Sequence, residues 1–482
     1  MVFNSFSFLV FIIIVFFLYY IPLKEKTKAQ NWLLLLASYF FYGYADWRMI
    51  PLLLVATAIF YFLGIAIQAS KEKKASLLST LGVLLGIGLL LYFKYLNFFI
   101  ESFSELFNAI GLKTNWGSFN IILPLGISFF TFRLISYVIE IHRGKIEPTR
   151  DFVVFATYVA FFPTIMSGPI DRPNSFIPQL TSTRSFNYSL AVDGCRQILW
   201  GIFKKMVIAD NLAVFTNNVW ADIPNQSGII LLIMGALYSF QLYTDFSGYS
   251  HMAIGVGKIL GFRITKNFNY PYFSRNVAEF WRNWHISLTS WLTDYIFIPL
   301  NIKFRNLGNY GIMLAIIINL VVVGLWHGAN WTFVVFGLYN GLLFIPLILK
   351  GSIFKKKKLK VNKLGLPALN DFFRIIGTFL LVTFGLIIFR ANNIEQAWEY
   401  ISGFFRFSGF LRNSAEISFL NPIIIFTILM FIFEWFNRDK EFPLQVFDKL
   451  KSKPISIVLY WTLLIIIMLN SGEEQTFIYF KY

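Results

Sequence analysis

The chain has 482 residues, of which 57% are hydrophobic, 19% are aromatic and only 14% are charged, and its formal net charge is +17. Because a soluble domain averages roughly 25% charged residues, this composition excludes an ordinary soluble protein and predicts a polytopic membrane protein. The single cysteine, Cys195, excludes an intrachain disulfide framework and any multi-cysteine metal site.

Apolar runs of membrane-spanning length recur along the chain. A bilayer core needs roughly 20 apolar residues per helix, and helix is expected because lipid-exposed backbone must satisfy its own hydrogen bonds. The predicted spans are residues 6–23, 31–45, 49–69, 76–94, 119–141, 152–167, 188–217, 228–245, 312–326, 331–349, 371–390, 421–436 and 456–470. The first span lacks the basic start and the cleavage pattern of a signal peptide. We therefore predict an all-α polytopic protein with about 11–14 membrane helices plus interfacial helices, in a single membrane-embedded domain over residues 1–482.

The basic residues indicate how these spans are oriented. Lysines and arginines fall in alternating short loops, at residues 24–28, 71–74 and 143–150. The positive-inside rule places these loops in the cytoplasm and the loop with Glu101 and Glu105 outside. The lysine run 355–358 and the segment 438–453 then also lie inside, and residues 472–482 lie outside. A lysine run could bind nucleic acid, but beside membrane helices it is more typical of a cytoplasmic loop that faces anionic lipid. The net positive charge therefore indicates orientation, and we expect no nucleic-acid partner.

His327 lies near the midpoint of a stretch, residues 306–349, that contains no Asp, Glu, Lys or Arg. That position predicts an ionisable ring at membrane depth. A polar group in hydrocarbon is costly unless it faces a protein cavity, so such a residue is by default a candidate functional site. The alternative is a packed histidine whose two nitrogens find local partners.

A second segment with chemical potential covers residues 279–295. Its apolar residues recur at helical spacing and share one face with His285; they are Trp281, Trp284, Leu288, Trp291 and Leu292. Its polar side carries Arg275, Glu279, Arg282 and Asp294. A helix of this kind could also lie in the membrane interface, with its tryptophans at headgroup depth and a solvated histidine.

Two histidines in separate segments indicate general acid/base chemistry. A neutral imidazole can take the proton from a hydroxyl group as that hydroxyl attacks an acyl carbon. Metal binding is the rival interpretation, but His142 and His251 add no metal-ligand spacing to the pair. A serine nucleophile is not indicated either, because no Gly-x-Ser-x-Gly motif is present.

A transporter or flippase is the alternative of another class. His327 would then serve as a proton relay or a pore residue. Proton-coupled carriers usually place carboxylates at the midplane and often have repeated halves. The stretch around His327 contains no carboxylate, and the sequence shows no internal repeat.

The residues also carry a family resemblance. The segments Phe280-Trp281-Arg282-Asn283-Trp284-His285-Ile286-Ser287-Leu288 and Leu325-Trp326-His327-Gly328-Ala329-Asn330-Trp331-Thr332 together resemble the membrane-bound O-acyltransferase (MBOAT) family. Within it, the chain is most similar to the bacterial alginate O-acetyltransferase branch. Supporting motifs are found at residues 1–5, 37–43, 123–129, 161–170, 245–250 and 477–480.

The resemblance implies an enzyme that passes an acyl group, usually acetyl, from a cytoplasmic thioester towards a hydroxyl of an extracytoplasmic polysaccharide. It implies acetyl-coenzyme A or another acyl thioester as donor substrate. We expect no bound cofactor, and the spacing of the histidines predicts no metal site. A secreted acetyltransferase is the expected partner, and the bacterial inner membrane the expected location. Transfer of D-alanine to teichoic acid, or of another acyl group to a lipid or peptide, remains an alternative.

The resemblance also assigns roles to individual residues in the catalytic segments, residues 275–349. His327 matches the essential histidine of the family, and His285 matches a second polar position that is frequently required. We expect the site to be lined by Trp326, Asn330, Trp331, Trp281, Arg282 and Trp284. Two departures from the branch are His251, where Asp is common, and Asn301-Ile302, where two glycines are common.

Overall fold

The structure is a computed structural model that describes residues 1–114, 116–355, 359–406, 422–449 and 453–480. The described residues fold into helices joined by turns and loops. In chain order, helices α1–α10 are Phe6–Tyr20, Thr27–Asp46, Ile50–Gln68, Glu72–Leu90, Leu96–Ala109, Ile127–His142, Phe152–Ala160, Pro173–Thr181, Tyr188–Ile202 and Asp210–Ala221. Helices α11–α19 are Gly228–Ile259, Val277–Asn283, Ile286–Leu292, Ile298–Lys303, Asn309–His327, Trp331–Leu342, Ile345–Leu349, Leu369–Arg390 and Ile394–Ser402. Two further helices cover Pro422–Phe436 and Lys453–Asn470.

The all-α, multi-pass prediction is confirmed. Among the described residues, 6 helical segments are long and apolar enough to cross a membrane: Thr27–Gln68, Glu72–Ala109, Gly228–Ile259, Asn309–His327, Trp331–Leu349 and Leu369–Arg390. Shorter apolar helices lie at Phe6–Tyr20, Pro422–Phe436 and Pro454–Asn470. The total number of membrane helices, and the single domain, stay predictions. Of the lysine run 355–358, residues 356–358 lie outside the described residues.

The chain forms two compact units, the first built from residues 1–198 and 252–265. A buried arginine on α6 organises its centre. The Arg133 side chain, 1% exposed, donates to the carbonyl oxygens of Tyr158 and Val159 at 3.2 and 3.0 Å. These carbonyls lie in the last turn of α7, where a helix leaves acceptors without an intrahelical partner. The guanidinium group therefore caps a helix end that is buried away from water.

The second unit is built from residues 199–251 and 266–482, and it includes a hairpin in which α15 and α16 pack closely against each other. Glycines permit the close approach of the two helices. A Cβ atom on Gly324 would overlap the carbonyl oxygen of Phe333, and one on Gly337 would overlap that of Leu320. Small residues of this kind let helix backbones approach closely in membranes. The hairpin therefore fixes the end of α15, where His327 lies.

The structure corrects three predicted boundaries. The segment with Glu101 and Glu105, predicted to be a loop, is part of α5, because its apolar residues recur at helical spacing between the acidic ones. The predicted span 119–141 begins only at Ile127, after Pro124 and Gly126, which interrupt a helix. The continuous helix predicted over residues 279–295 is wrong, since the chain is broken between α12 and α13.

We expect Gly324→Ala to destabilise the protein by about 1–3 kcal/mol, because the new methyl group must push the hairpin helices apart. Gly377→Ala is the matched control: it lies on α18, and its Cβ atom would meet nothing within 4 Å. The measurement is the apparent unfolding temperature of the detergent-solubilised protein. Equal unfolding temperatures in the two variants would contradict the close packing of the hairpin.

Candidate active site

His285 lies at the break between α12 and α13, in a backbone conformation that few residues adopt. Its φ is 44° and its ψ is 54°, whereas the preceding Trp284 is extended. Only 3 described non-glycine residues have a positive φ, and the other two are Glu25 and Tyr270. A non-glycine residue in the left-handed region is held there by its surroundings, and such strain concentrates at functional sites.

A loop of the same unit supports this break. The backbone N–H of Ile286 donates to the carbonyl oxygen of Asn267 at 2.8 Å, and the N–H of Asn269 donates to the carbonyl oxygen of Asn283 at 3.0 Å. The hydroxyl group of Ser287 donates to the side-chain oxygen of Asn267 at 2.6 Å. Because these bonds replace the missing helical ones, the backbone can leave the helix in a buried place.

His327 is the last residue of α15, so it lies at the turn of the hairpin and not in the middle of a helix. Its side chain is 4% exposed. Aromatic rings surround it, with centroid distances of 4.9 Å to Phe389 and 6.3 Å to Phe336. The burial of this imidazole therefore comes from packed protein rings.

The two histidines share two aromatic neighbours. The centroid of Trp326 lies 5.3 Å from that of His285 and 4.9 Å from that of His327. The Tyr479 ring lies 6.1 Å from His285 and 5.4 Å from His327. The structure thus brings together the two segments that sequence alone could only name separately.

His285 is more deeply buried than an interfacial helix would allow. Its side chain is 1% exposed, and neither ring nitrogen has a hydrogen-bond partner among the described residues. Burial lowers the pKa of His285 to about 3, because a charged imidazolium is poorly stabilised away from water. The ring is therefore neutral at physiological pH, and one of its nitrogens carries a proton that it can donate.

The other predicted site residues fall into two groups. Trp326 lies between the histidines, and Trp284 packs in the adjoining aromatic cluster, 5.3 Å from Phe280. The Trp281 indole donates instead to the side-chain oxygen of Asn340 at 3.3 Å. Arg282 is exposed and donates to a backbone carbonyl.

Asn330 and Trp331, which follow the His327 turn, do not line the site as we expected. The side-chain oxygen of Asn330 accepts from the backbone N–H of Thr332 at 2.9 Å and so caps α16. Its amide nitrogen donates to the carbonyl oxygen of Asn392 at 2.7 Å. Trp331 begins α16 with a side chain that is 52% exposed. Asn330 therefore orders the turn, and Trp331 faces outward.

Tyr479 is the residue that the sequence did not point to as part of the site. It lies far along the chain from both histidines, and its motif, residues 477–480, contributed only to the family resemblance. Its ring also packs against Phe246, with centroids 4.3 Å apart. The only signal in the sequence was an aromatic cluster after the last apolar span.

The sequence of the chain is similar to a known protein family and to several of its members. Residues 148–390 match the family model of the membrane-bound O-acyltransferases. The chain is 37% identical to a probable alginate O-acetylase of Azotobacter vinelandii, over 89% of this chain and 83% of the relative. It is 31% identical to a peptidoglycan O-acetyltransferase of Helicobacter pylori, over 85% of this chain and 80% of the relative. It is also 31% identical to a teichoic acid D-alanyltransferase of Streptococcus thermophilus, over 66% of this chain and 76% of the relative.

We expect the stability of the protein to fall more steeply on acidification than that of its His285→Asn variant. The unfolded chain binds a proton at His285 below about pH 6.5, whereas the native ring does not until about pH 3. This contribution is present above the unfolded pKa and is lost as the pH falls between the two values. This loss lowers the free energy of unfolding by about 2 kcal/mol at about pH 5 relative to about pH 7.

The measurement is the apparent unfolding temperature of wild type and variant at both pH values. Asn is the chosen substitute because it tolerates a positive φ better than most other non-glycine residues. Parallel losses in the two proteins would mean that the buried ring titrates in its ordinary range.

Proposed function

Because the chain belongs to the membrane-bound O-acyltransferase family, we propose that it passes an acetyl group from a cytoplasmic thioester towards a hydroxyl of an extracytoplasmic polysaccharide. The chain is a multi-pass membrane protein and an acyltransferase. The acyl group, the donor, the acceptor and a location in the bacterial inner membrane are proposed here. A secreted acetyltransferase would complete delivery to the polysaccharide.

The observation that carries the proposal is the pair of buried histidines with common neighbours. His327 acts as general base: it takes the proton of the acceptor hydroxyl while the hydroxyl oxygen attacks the thioester carbonyl carbon. The new carbon–oxygen bond forms, the carbonyl oxygen becomes an oxyanion, and collapse of this intermediate breaks the carbon–sulfur bond. The proton on His327 then passes to the leaving thiolate, which restores the neutral imidazole.

His285 has a different role because its ring is neutral and hard to protonate. A neutral imidazole cannot readily supply a full proton to the thiolate, but its N–H can donate a hydrogen bond to the oxyanion. A donor held in place before reaction stabilises developing charge most effectively where water is excluded. The strained backbone at His285 provides such a fixed position.

A basic cavity in the same unit supports a phosphate-bearing donor. It has a volume of about 880 Å³, and its lining is formed by Arg275, Asn276, Glu279, Arg282, Asn283, Leu347, Lys350, Ser352, Lys355 and Arg374. Within the described part of the chain, Arg282, Lys350 and Lys355 have no ion-pair partner within 4 Å, whereas Arg275 pairs with Glu279. Arginine and lysine are the side chains that bind phosphate groups most effectively, and coenzyme A and phosphopantetheine both carry phosphate.

A second cavity is lined by residues close in the chain to each of the two histidines. Its volume is about 370 Å³, and it shares Arg282 with the basic cavity. Ile286 and Val323 also line it. Ile286 directly follows His285, and Val323 lies one helical turn before His327. A thioester arm in this mostly apolar cavity would have its phosphate at Arg282 and its acyl end towards the histidines.

D-alanyl transfer is the second candidate, favoured by the similarity to a teichoic acid D-alanyltransferase. Both reactions use the same proton transfers and differ in the acyl group. The mass added to the acceptor therefore distinguishes them directly. A transporter or flippase would move a substrate without releasing a free thiol.

We expect cells that carry the wild-type protein to produce surface glycans with one additional acetyl group per modified sugar, and cells with His327→Ala to lack it. Loss of a general base typically costs about 10²–10⁴-fold in rate. The measurement is mass spectrometry of surface glycans, together with release of free thiol from acetyl-coenzyme A by the purified protein. His285→Ala should also lower turnover strongly, while His285→Asn should retain part of it.

The control is equal accumulation and equal elution of all variants in detergent. A mass difference of one alanyl group would replace the acetyl proposal with D-alanylation. Wild-type turnover in purified His327→Ala would refute the assignment of the base.

For the donor cavity, we expect Arg282→Gln to raise the KM for acetyl-coenzyme A about 10-fold, because a charge-assisted hydrogen bond contributes about 1.5–3 kcal/mol. The KM for S-acetylpantetheine, which lacks phosphate, should change little. Arg305→Gln removes a cation that does not line the cavity and serves as control. An equal rise in KM for both thioesters would mean that Arg282 does not bind phosphate.

A further inference from the structure

The residues after the last helix, 471–480, form a stretch that we call the C-terminal segment. It has little helical structure of its own, apart from a short turn at Ile478–Phe480. Even so it places the Tyr479 ring, 9% exposed, beside His327 and His285. A segment with few internal hydrogen bonds needs external partners to hold one position.

A buried ionic cluster contacts this segment. The Lys205 Nζ lies 2.8 Å from a carboxylate oxygen of Asp210 and 2.8 Å from one of Asp245, and it donates to the carbonyl oxygen of Gln475 at 3.0 Å. The second carboxylate oxygen of Asp245 accepts from the backbone N–H of Ile478 at 2.9 Å. The three charged side chains are 7% exposed or less. A positively charged side chain, Lys205, and a negatively charged one, Asp245, therefore both bind backbone groups of the segment.

Apolar contacts act at the same place. Phe246 and Tyr249 lie on α11 close to Asp245, and they pack against Tyr479 at 4.3 Å and against Phe477 at 4.6 Å. Phe246 also contacts His285, with centroids 4.6 Å apart. One turn of α11 thus binds the backbone of the segment through Asp245 and orients its rings through Phe246.

We infer that Lys205, Asp210 and Asp245 form an ionic anchor that holds the C-terminal segment and thereby positions Tyr479 against the two histidines. The inference rests on the proposed function for its catalytic consequence. Buried charges are costly unless they are paired and hydrogen-bonded. Here the pairing is completed by backbone groups of the segment itself, so the cluster and the position of Tyr479 depend on each other.

A neighbouring cluster provides a matched control. Lys204, adjacent in sequence, lies 2.8 Å from Glu434, and the two side chains are 0% and 1% exposed. Tyr243 donates to the other oxygen of Glu434 at 3.0 Å. This pair is as deeply buried as the anchor, but the contacts of its charged groups are with Tyr243 and not with the C-terminal segment. Neutralising Glu434 therefore tests the general effect of disturbing a buried ion pair.

The first experiment measures whether the segment is released. A reporter cysteine is introduced as Ile478→Cys in a full-length Cys195→Ser background, and its alkylation rate by N-ethylmaleimide is followed in detergent. We expect Asp245→Asn to raise this rate about 10-fold, and Glu434→Gln to change it less than twofold. An unchanged rate in Asp245→Asn, or an equal rise in both variants, would overturn the anchor. If Asp245→Asn does not accumulate, Lys205→Gln gives the same comparison.

The second experiment measures the consequence for turnover without the reporter. A displaced Tyr479 should lower kcat about 30-fold in Asp245→Asn while the KM for acetyl-coenzyme A stays within twofold, since the basic cavity contains none of the anchor residues. A general loss of packing would instead change both constants. Increased labelling with an unchanged kcat would overturn the positioning of Tyr479. A wild-type protein without acyl transfer would refute the proposed function, while the labelling result would still decide the anchor.

Discussion

An apolar surrounding offers the backbone no water, so each peptide group that leaves helical geometry needs a partner from the protein. The chain leaves helical geometry at three places that build the site, and a polar partner is present at each. Asn267 binds the break at His285, Asn330 caps the turn after His327, and Asp245 accepts from the C-terminal segment. The site is therefore irregular backbone held by polar side chains and, at the His285 break, by the backbone of a neighbouring loop.

The cost of burying a polar group without a partner also explains where the charged side chains lie. The rings of Trp326, Tyr479 and Phe389 surround the histidines, whereas Arg282, Lys350 and Lys355 line the basic cavity. A phosphate group in the ring-lined region would be desolvated without compensation. Under the proposed function, this separation would let the thioester donor keep its phosphate charges at Arg282 while its neutral arm reaches the histidines.

Composition and motif predicted the class of fold and the two histidines, but they could not predict the local geometry of the site. The apolar spacing of Trp281, Trp284 and Leu288 is the same for one long helix as for two short ones, so the break at His285 depends on Asn267, a contact that periodicity does not encode. The charge-free stretch around His327 predicted depth in the membrane, whereas the hairpin places the ring at a helix end. Tyr479 was missed because its proximity arises from tertiary contacts. The single domain and the orientation of the chain in the membrane stay predictions.

The hairpin of α15 and α16 has a consequence for how the length of this protein can change in evolution. A helix turns by about 100° per residue, and Gly324, which meets α16, lies three residues before His327. One inserted residue between them would keep either the helix contact or the direction of the imidazole, but not both. We therefore expect selection against insertions and deletions near the end of α15. Residues 116–120 are exposed and lie outside the helices, so we expect changes of length there to leave the reaction unaltered.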